Sequence, residues 1–184
     1  EINEHFVQRM QKNAEQHGVA DKLQVIQQDA MAVVEDLAQT AFDVVVCTGA
    51  SQALGGSQTA LGHLTNLIKR GGYVILGEGY WKRTPDKPYL EALGAAEHEL
   101  QSHSTNVFAA QQHGLVPLWS AVASEDDWDA YEWLYSKSVE DYCYLHPSDP
   151  DVPMMLERIR SWRKVYLEWG RDTLGFGLYL FGLR

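Results

Sequence analysis

Two runs of apolar residues constrain this chain more than any other feature: Phe42-Asp43-Val44-Val45-Val46-Cys47 and Tyr73-Val74-Ile75-Leu76. A strand that is apolar on both faces has to be covered on both faces, which is the situation of a strand inside a parallel sheet. Between the two runs Leu61, Leu64, Leu67 and Ile68 lay an apolar stripe at helical spacing, and Gly71-Gly72 is placed to stop that helix. Upstream, Ile2, Phe6, Val7, Met10 and Ala14 predict a helix from about Glu4 to His17, with Asn3 as its N-cap and Gly18 as its terminator. Leu23, Val25 and Ile26 predict a short strand ending at Gln28-Asp29, and Met31 to Leu37 a helix behind it. Strands alternating with helices in this way predict an α/β, doubly wound, Rossmann-like sheet with helices on both faces.

The second half reads differently. Short helices are predicted over Tyr89 to Leu93 and Asn106 to Gln112, and a strand over Leu115 to Ala123, where Pro117 is tolerable toward an edge. Ser124 and Asp127 form a near capping box for a helix from about Glu125 to Tyr135. After the loop His146-Pro147-Ser148-Asp149-Pro150 a long helix runs from about Met154 to Trp169, and Thr173 to Leu183 reads as a closing strand. Residues 124–172 are therefore expected to form a helical insert or lid between the last two strands of one domain spanning 1–184. Trp128, Tyr131 and Tyr135, and likewise Trp162, Tyr166 and Trp169, stand at helical spacing and are expected to weld two helices to the sheet. The stretch Tyr142 to His146 lacks that periodicity, so it is expected to be a loop that overhangs the ligand pocket together with Trp81.

Charge and composition narrow the function. Fifteen Lys and Arg against 25 Asp and Glu give a formal charge of −10, which repels nucleic acid as a partner. No run approaches the length of a membrane span, and Glu1 to Met10 has no signal-peptide pattern. Cys47 and Cys143 fit no metal spacing and read as free thiols of a cytoplasmic protein. His98 and His103 mimic a zinc motif with one residue too many: an offset of five turns the second side chain about 140° away on a helix. No metal is expected there, and a solvated helix face is the reading for that pair.

In a doubly wound sheet ligands bind beyond the carboxyl ends of the strands, which points to Glu1, Asp29, Cys47 to Gln52, and Glu78 to Trp81. A strand-end acid can accept hydrogen bonds from ribose hydroxyls, and a second acid can take an adenine amino group. The ordered set Glu1-Ile2-Asn3, Val25-Ile26-Gln27-Gln28-Asp29-Ala30, Phe42 to Gly49 and Leu67 to Leu76 resembles the class I S-adenosylmethionine-dependent methyltransferases, in their small-molecule branch. The resemblance implies S-adenosyl-L-methionine as cofactor. It further implies Glu1 on the ribose, Asp29 and the Ala30 backbone at the adenine, and Cys47, Thr48 and Gly49 under the methionine portion. It implies a mixed sheet whose last strand runs antiparallel. The family's glycine-rich signature precedes the ribose acid, so two strands and the motif helix are expected to lie ahead of Glu1 in a longer chain.

For the acceptor, a small molecule, the expected contacts are Gln52, Glu78, Tyr80, Trp81, Tyr142 and Tyr144. No residue declares itself catalytic; His146 and Glu78 are the candidates for a base. Two other functions remain open at the level of sequence. One is a nicotinamide-dependent oxidoreductase, against which stands the lack of any Tyr-x-x-x-Lys pair; the other is a noncatalytic module that binds an adenosine ligand.

Overall fold

The computed structural model describes residues 1–37 and 41–184. Four strands, β1 (Phe42–Thr48), β2 (Ile68–Trp81), β3 (Leu115–Val122) and β4 (Leu174–Leu183), form one sheet in the order β1-β2-β4-β3. β1 and β2 run parallel, and β4 wedges antiparallel between β2 and β3. This is the mixed α/β sheet with an antiparallel last strand that the sequence predicted.

Helices α1 (Glu4–Gln16), α2 (Ala30–Asp36), α3 (Ser57–Leu67), α4 (Lys87–Leu93) and α5 (His103–Ala109) precede β3. Asn3 caps α1, its side chain accepting the His5 N–H at 2.9 Å, and Gly18 turns the chain at φ +64°. Leu61 and Leu64 of α3 and Ala109 of α5 join Val74, Leu76, Leu115 and Phe181 in one buried core. These helices thus cover the sheet face that carries the even-numbered side chains of β2. On the opposite face Val44, Val46, Trp119 and Leu178 remain exposed among the described residues.

Two predictions about this half need correction. Residues 23–28 are extended but belong to no strand. A ladder requires a neighbour to supply donors and acceptors. The described backbone bond here runs instead to Glu1: the Gln28 N–H donates to the Glu1 carbonyl at 3.1 Å. Likewise α3 ends at Leu67, ahead of the two glycines, because Ile68 is already extended and pairs with Phe42. Gly71 and Gly72 form an irregularity inside β2. A Cβ on Gly72 would sit 2.8 Å from the Lys69 carbonyl and 3.0 Å from that of Asp43, so only glycine lets the strand resume.

Between β3 and β4 the chain folds into an antiparallel helical hairpin, α6 (Glu125–Leu145) and α7 (Val152–Val165), then a single π-helical turn Tyr166–Gly170 and the short α8 (Arg171–Thr173). The capping box of Ser124 and Asp127 starts α6. No proline or glycine follows until Pro147, so α6 continues through Tyr142 to Leu145, which the sequence had placed in a loop. His146 is its C-cap. Polar pairs zip the hairpin: the Trp162 indole N–H donates to Glu132 at 2.7 Å, Arg163 to Ser136 at 3.0 Å, and Arg160 to Glu140 through two bonds of 3.0 Å. At its base the Tyr166 hydroxyl donates to Asp129 at 2.6 Å and Arg171 grips both oxygens of the same carboxylate.

The expected weld of two helices to the sheet takes another form, since Tyr166 and Trp169 lie in the turn after α7 and Trp169 meets α4. Tyr166 is buried and Trp169 stacks on the buried Tyr89 of α4, at 6.4 Å between ring centres. Tyr131 and Tyr135 of α6 are exposed instead, because the side of α6 that turns inward carries Glu132, Ser136 and Cys143. Among the described residues no helix is long and apolar enough to cross a membrane.

Candidate functional site

The parallel strands β1 and β2 deliver their carboxyl ends to one edge of the sheet, and antiparallel β4 starts at that same edge. The Gly49 N–H donates to the Gly77 carbonyl at 2.9 Å, and the Ala123 N–H, just past β3, donates to the Phe176 carbonyl at 2.9 Å. The turn after β1 is therefore tied to β2, and the turn after β3 to the start of β4. Gly49 takes φ +61°, and a side chain there would meet no atom within 4 Å, so its backbone is open to a ligand.

Of the six residues expected to hold the cofactor, Cys47, Thr48 and Gly49 stand at this end of β1, and Glu1, Asp29 and Ala30 lie on the segment that leads into α2 or are bonded to it. Glu1 is joined by a backbone bond to Gln28, immediately before Asp29. Asp29 caps α2, its Oδ1 accepting the Met31 N–H at 2.9 Å. Ala30 packs, half-buried, against the core cluster that contains Cys47. Cys47 is buried and its thiol is pushed up from the ordinary range, first by burial and then by the nearby Glu78 charge, so it is a neutral wall and not a nucleophile. Thr48 and Gly49 are exposed at the rim.

Glu78 lies one turn of the pleat beyond Leu76 on the helix-covered face, 7% exposed. One carboxylate oxygen accepts the Gly79 N–H at 3.2 Å; the other, Oε2, is buried with no partner among the described residues. A buried carboxylate oxygen without a donor is costly, and a donor supplied by a bound molecule removes that cost. Beside it the Tyr179 ring folds back over Gly177, the residue that pairs with Glu78 across the strands. The Tyr179 hydroxyl lies 3.2 Å from His103 Nδ1 and 3.4 Å from Asn106 Nδ2, which also donates to the Gly79 carbonyl. His103 is thus half-buried between Tyr80 and Tyr179, with ring centres 5.3 and 5.4 Å away, and not part of a solvated helix face. Burial holds the Tyr80 and Tyr179 phenols above their ordinary range, so both keep their protons at neutral pH.

On the other face of the sheet, at the same edge, a cleft of about 370 Å³ is lined by Gly49, Ala123, Asp127, Trp128, Tyr131 and Phe176. That volume suits a small organic molecule. Strand alternation fixes the side: Phe176 pairs with Gly79 and its ring reaches back over Gly77, whereas Glu78 and Tyr80 point to the opposite face. The Trp128 and Tyr131 rings meet edge to face, 6.1 Å apart and at 84°. The indole nitrogen of Trp128 is buried with no hydrogen-bond partner among the described residues.

The residues expected at the acceptor therefore part company. Glu78 and Tyr80 are buried under the covered face, and Trp81 is fixed by an indole bond of 2.8 Å to the Glu97 carbonyl and by the edge of Tyr89. Gln52 lines a separate opening with Ser57, His98 and Gln101. Tyr142 and Tyr144 are corrected outright. They lie on the last turn of α6, 11 and 13 residues past Tyr131, the nearest wall of the cleft, which at the helical rise places them about 16 and 20 Å along the axis from it. Tyr142 donates to Asp149 at 2.7 Å and stacks on His146, and Tyr144 is 84% exposed. His146, at that tip, stands as far from the strand ends as they do. Sequence reasoning missed the cleft's own walls, Trp128, Tyr131 and Phe176. Among the described residues no group of His, Cys, Asp and Glu is arranged to hold a metal.

Residues 1–138 match the family model described as a methyltransferase domain. The uncharacterized protein YjhP of Escherichia coli K12 is 25% identical over 176 residues, 95% of this chain and 70% of that protein. A S-adenosylmethionine-dependent methyltransferase from Thiobacillus denitrificans, solved with S-adenosyl-L-homocysteine, superposes with a TM-score of 0.86 at 24% identity, over 100% of this chain and 74% of that one. A second, from Geobacter sulfurreducens and also with S-adenosyl-L-homocysteine, gives 0.83 at 22% identity over 99% and 73%. With three quarters of its length inside the family model and the family's sheet order and antiparallel last strand in its fold, the chain belongs to the class I S-adenosylmethionine-dependent methyltransferases.

Proposed function

We propose that the chain transfers the methyl group of S-adenosylmethionine to a small-molecule acceptor seated in the cleft between Gly49 and α6. What carries this reading is that Gly49, which the family resemblance puts on the cofactor floor, also lines the wall of that cleft. A methyl donor resting on Cys47 to Gly49 would have the cleft as its immediate neighbour, and alignment of acceptor with methyl carbon is the main demand of the transfer. When bound, S-adenosylmethionine supplies an activated methyl on a sulfonium.

The chain's own groups fit such a ligand. Glu1 and Asp29 each keep one carboxylate oxygen outside the hydrogen bonds they make locally, available for ribose hydroxyls and the adenine amine. Ala30 offers its backbone, and the orphaned Glu78 Oε2 beside Cys47 offers an acceptor for a donor on the methionine portion. Glu78 is thereby read as a binding residue more than a base. The apolar cleft wall excludes water around the reacting carbon. The two buried, unpaired thiols support a reducing, cytoplasmic setting.

The test is calorimetry with S-adenosyl-L-homocysteine, followed by transfer of labelled methyl from S-adenosylmethionine to fractions of a metabolite pool. Asp29→Ala and Glu78→Gln are each expected to weaken binding by about 1–3 kcal/mol, the range for loss of a charged hydrogen-bond partner. Unchanged affinity in both variants removes them from the cofactor site.

A further inference from the structure

We propose that the cleft selects an amine as acceptor, one whose nitrogen is cationic once methylated. This deepens the reading above and rests on it. Three aromatic rings from different segments converge there: Phe176 from β4, and Trp128 and Tyr131 from one turn of α6. Trp128 and Tyr131 meet edge to face at 84°, and both line the cleft together with Phe176. Ring faces carry partial negative charge and attract alkylammonium groups, more strongly where water is excluded.

Charge around the cleft has the same sign. Asp127 lines it, and its carboxyl is held below the ordinary range by the Ser124 hydroxyl and then the Ser124 backbone, so it is ionised at neutral pH. Both of those bonds fall on Oδ2, which leaves Oδ1 outside the capping box. Glu125 and Asp126 share the same first turn, where Arg171 pairs with Glu125 at 3.1 Å. Three carboxylates against one guanidinium outweigh the partial positive charge of the helix start. Among the described residues no lysine or arginine lines the cleft, so a carboxylate or phosphate acceptor finds no counterion in that wall.

The arrangement suits the charge flow of N-methylation. The amine reacts as its free base, its ammonium proton going first to water at the open mouth; the lone pair then forms the new N–C bond as the C–S bond breaks with its electron pair going to sulfur, and the positive charge passes from sulfur to nitrogen. A tertiary amine ends there as a quaternary ammonium; a primary or secondary amine then gives an N–H proton to water at the open mouth. Rings that prefer the cationic nitrogen stabilise the transition state more than the neutral amine.

Choline and its uncharged isostere 3,3-dimethylbutan-1-ol separate charge recognition from shape. Titrated into the full chain by calorimetry, choline is expected to bind about tenfold more tightly than the isostere. Tyr131→Leu, at an exposed position where folding is not at stake, and Trp128→Leu should each reduce that preference severalfold. Equal affinity for the two probes, no binding of either, or a preference untouched by both substitutions overturns the proposal. S-adenosyl-L-homocysteine binding, measured on the same samples, tests the cofactor reading separately: if it persists while choline discrimination is absent, only the amine assignment fails.

Discussion

Gly177→Ala is the sharpest probe of the packing beneath the site. Gly177 is extended backbone in β4, so alanine asks nothing of φ and ψ. Its Cβ, however, would stand 2.5 Å from Cζ of Tyr179 and 3.0 Å from Cε2. Ordinary carbon contacts begin near 3.5 Å, so the overlap is about 1 Å along the ring and the ring has to swing away. Forced repacking of that kind costs about 1–3 kcal/mol. Moving the hydroxyl also breaks its bonds to His103 and Asn106, at 3.2 and 3.4 Å, worth together about 1–2 kcal/mol. The expected loss is about 2–5 kcal/mol, or roughly 5–15 °C in Tm for a chain of this size. Urea denaturation followed by tryptophan fluorescence reads it. The decisive comparison repeats the substitution in a Tyr179→Ala background, where the added methyl has space and the reduced freedom of the unfolded chain should make it stabilising by about 0.5 kcal/mol. Equal cost in the two backgrounds, or a single variant within about 0.5 kcal/mol of the parent, would refute the account.

Two further predictions concern the hairpin. Burial raises the Glu132 carboxyl above its ordinary range, against the opposing bond from Trp162, so its ionisation costs the folded state stability as pH climbs from the unfolded value through the folded one. Glu132→Gln keeps an oxygen for the Trp162 indole and removes that cost; its urea midpoint should exceed the parent's at pH 7 and converge with it at pH 4. Changing Tyr142 and Tyr144 together to Ala, at the far tip of α6, should leave acceptor kinetics and S-adenosyl-L-homocysteine affinity as they were; a KM shift would bring the tip back to the cleft.

What the sequence disclosed follows what hydrophobic pattern can encode. β1 and β2 announced themselves as apolar runs, and Thr173 to Leu183 as alternating glycine and large residues; the glycines leave room for rings, since a Cβ on Gly175 would lie 2.5 Å from Cε1 of Tyr80. The far half of α6 stayed hidden because its inward side is polar. Glu132, Ser136 and Glu140 meet Trp162, Arg163 and Arg160 of α7, a seam that periodicity of apolar residues does not report. Glu1 and Asp29 are cofactor candidates because family order and the carboxyl-edge rule agree on them, although no described strand precedes either. The cleft could not be placed from the sequence, since Phe176 meets Trp128 and Tyr131 only after an antiparallel strand has returned to the same edge. Aromatic spacing on one helix suggested a buried seam; the polar seam on α6 sends those rings outward toward the cleft and solvent.

The wedge position of β4 sets a timetable for folding. β3 has no described strand neighbour other than β4, yet about fifty residues separate the end of one from the start of the other. At roughly 5–20 residues per second of synthesis, β3 waits about 3–10 s before its partner exists. During that interval its backbone edge and Trp119 are open to other chains, which is when such a strand is most prone to mispair. The hairpin made in the meantime closes through contacts between neighbouring helices, and its base at Arg171 and Asp129 then hands β4 directly into the gap. Rapid assembly of α6 and α7 would thus shorten the vulnerable period, and weakening their seam should lower soluble yield more than it lowers equilibrium stability.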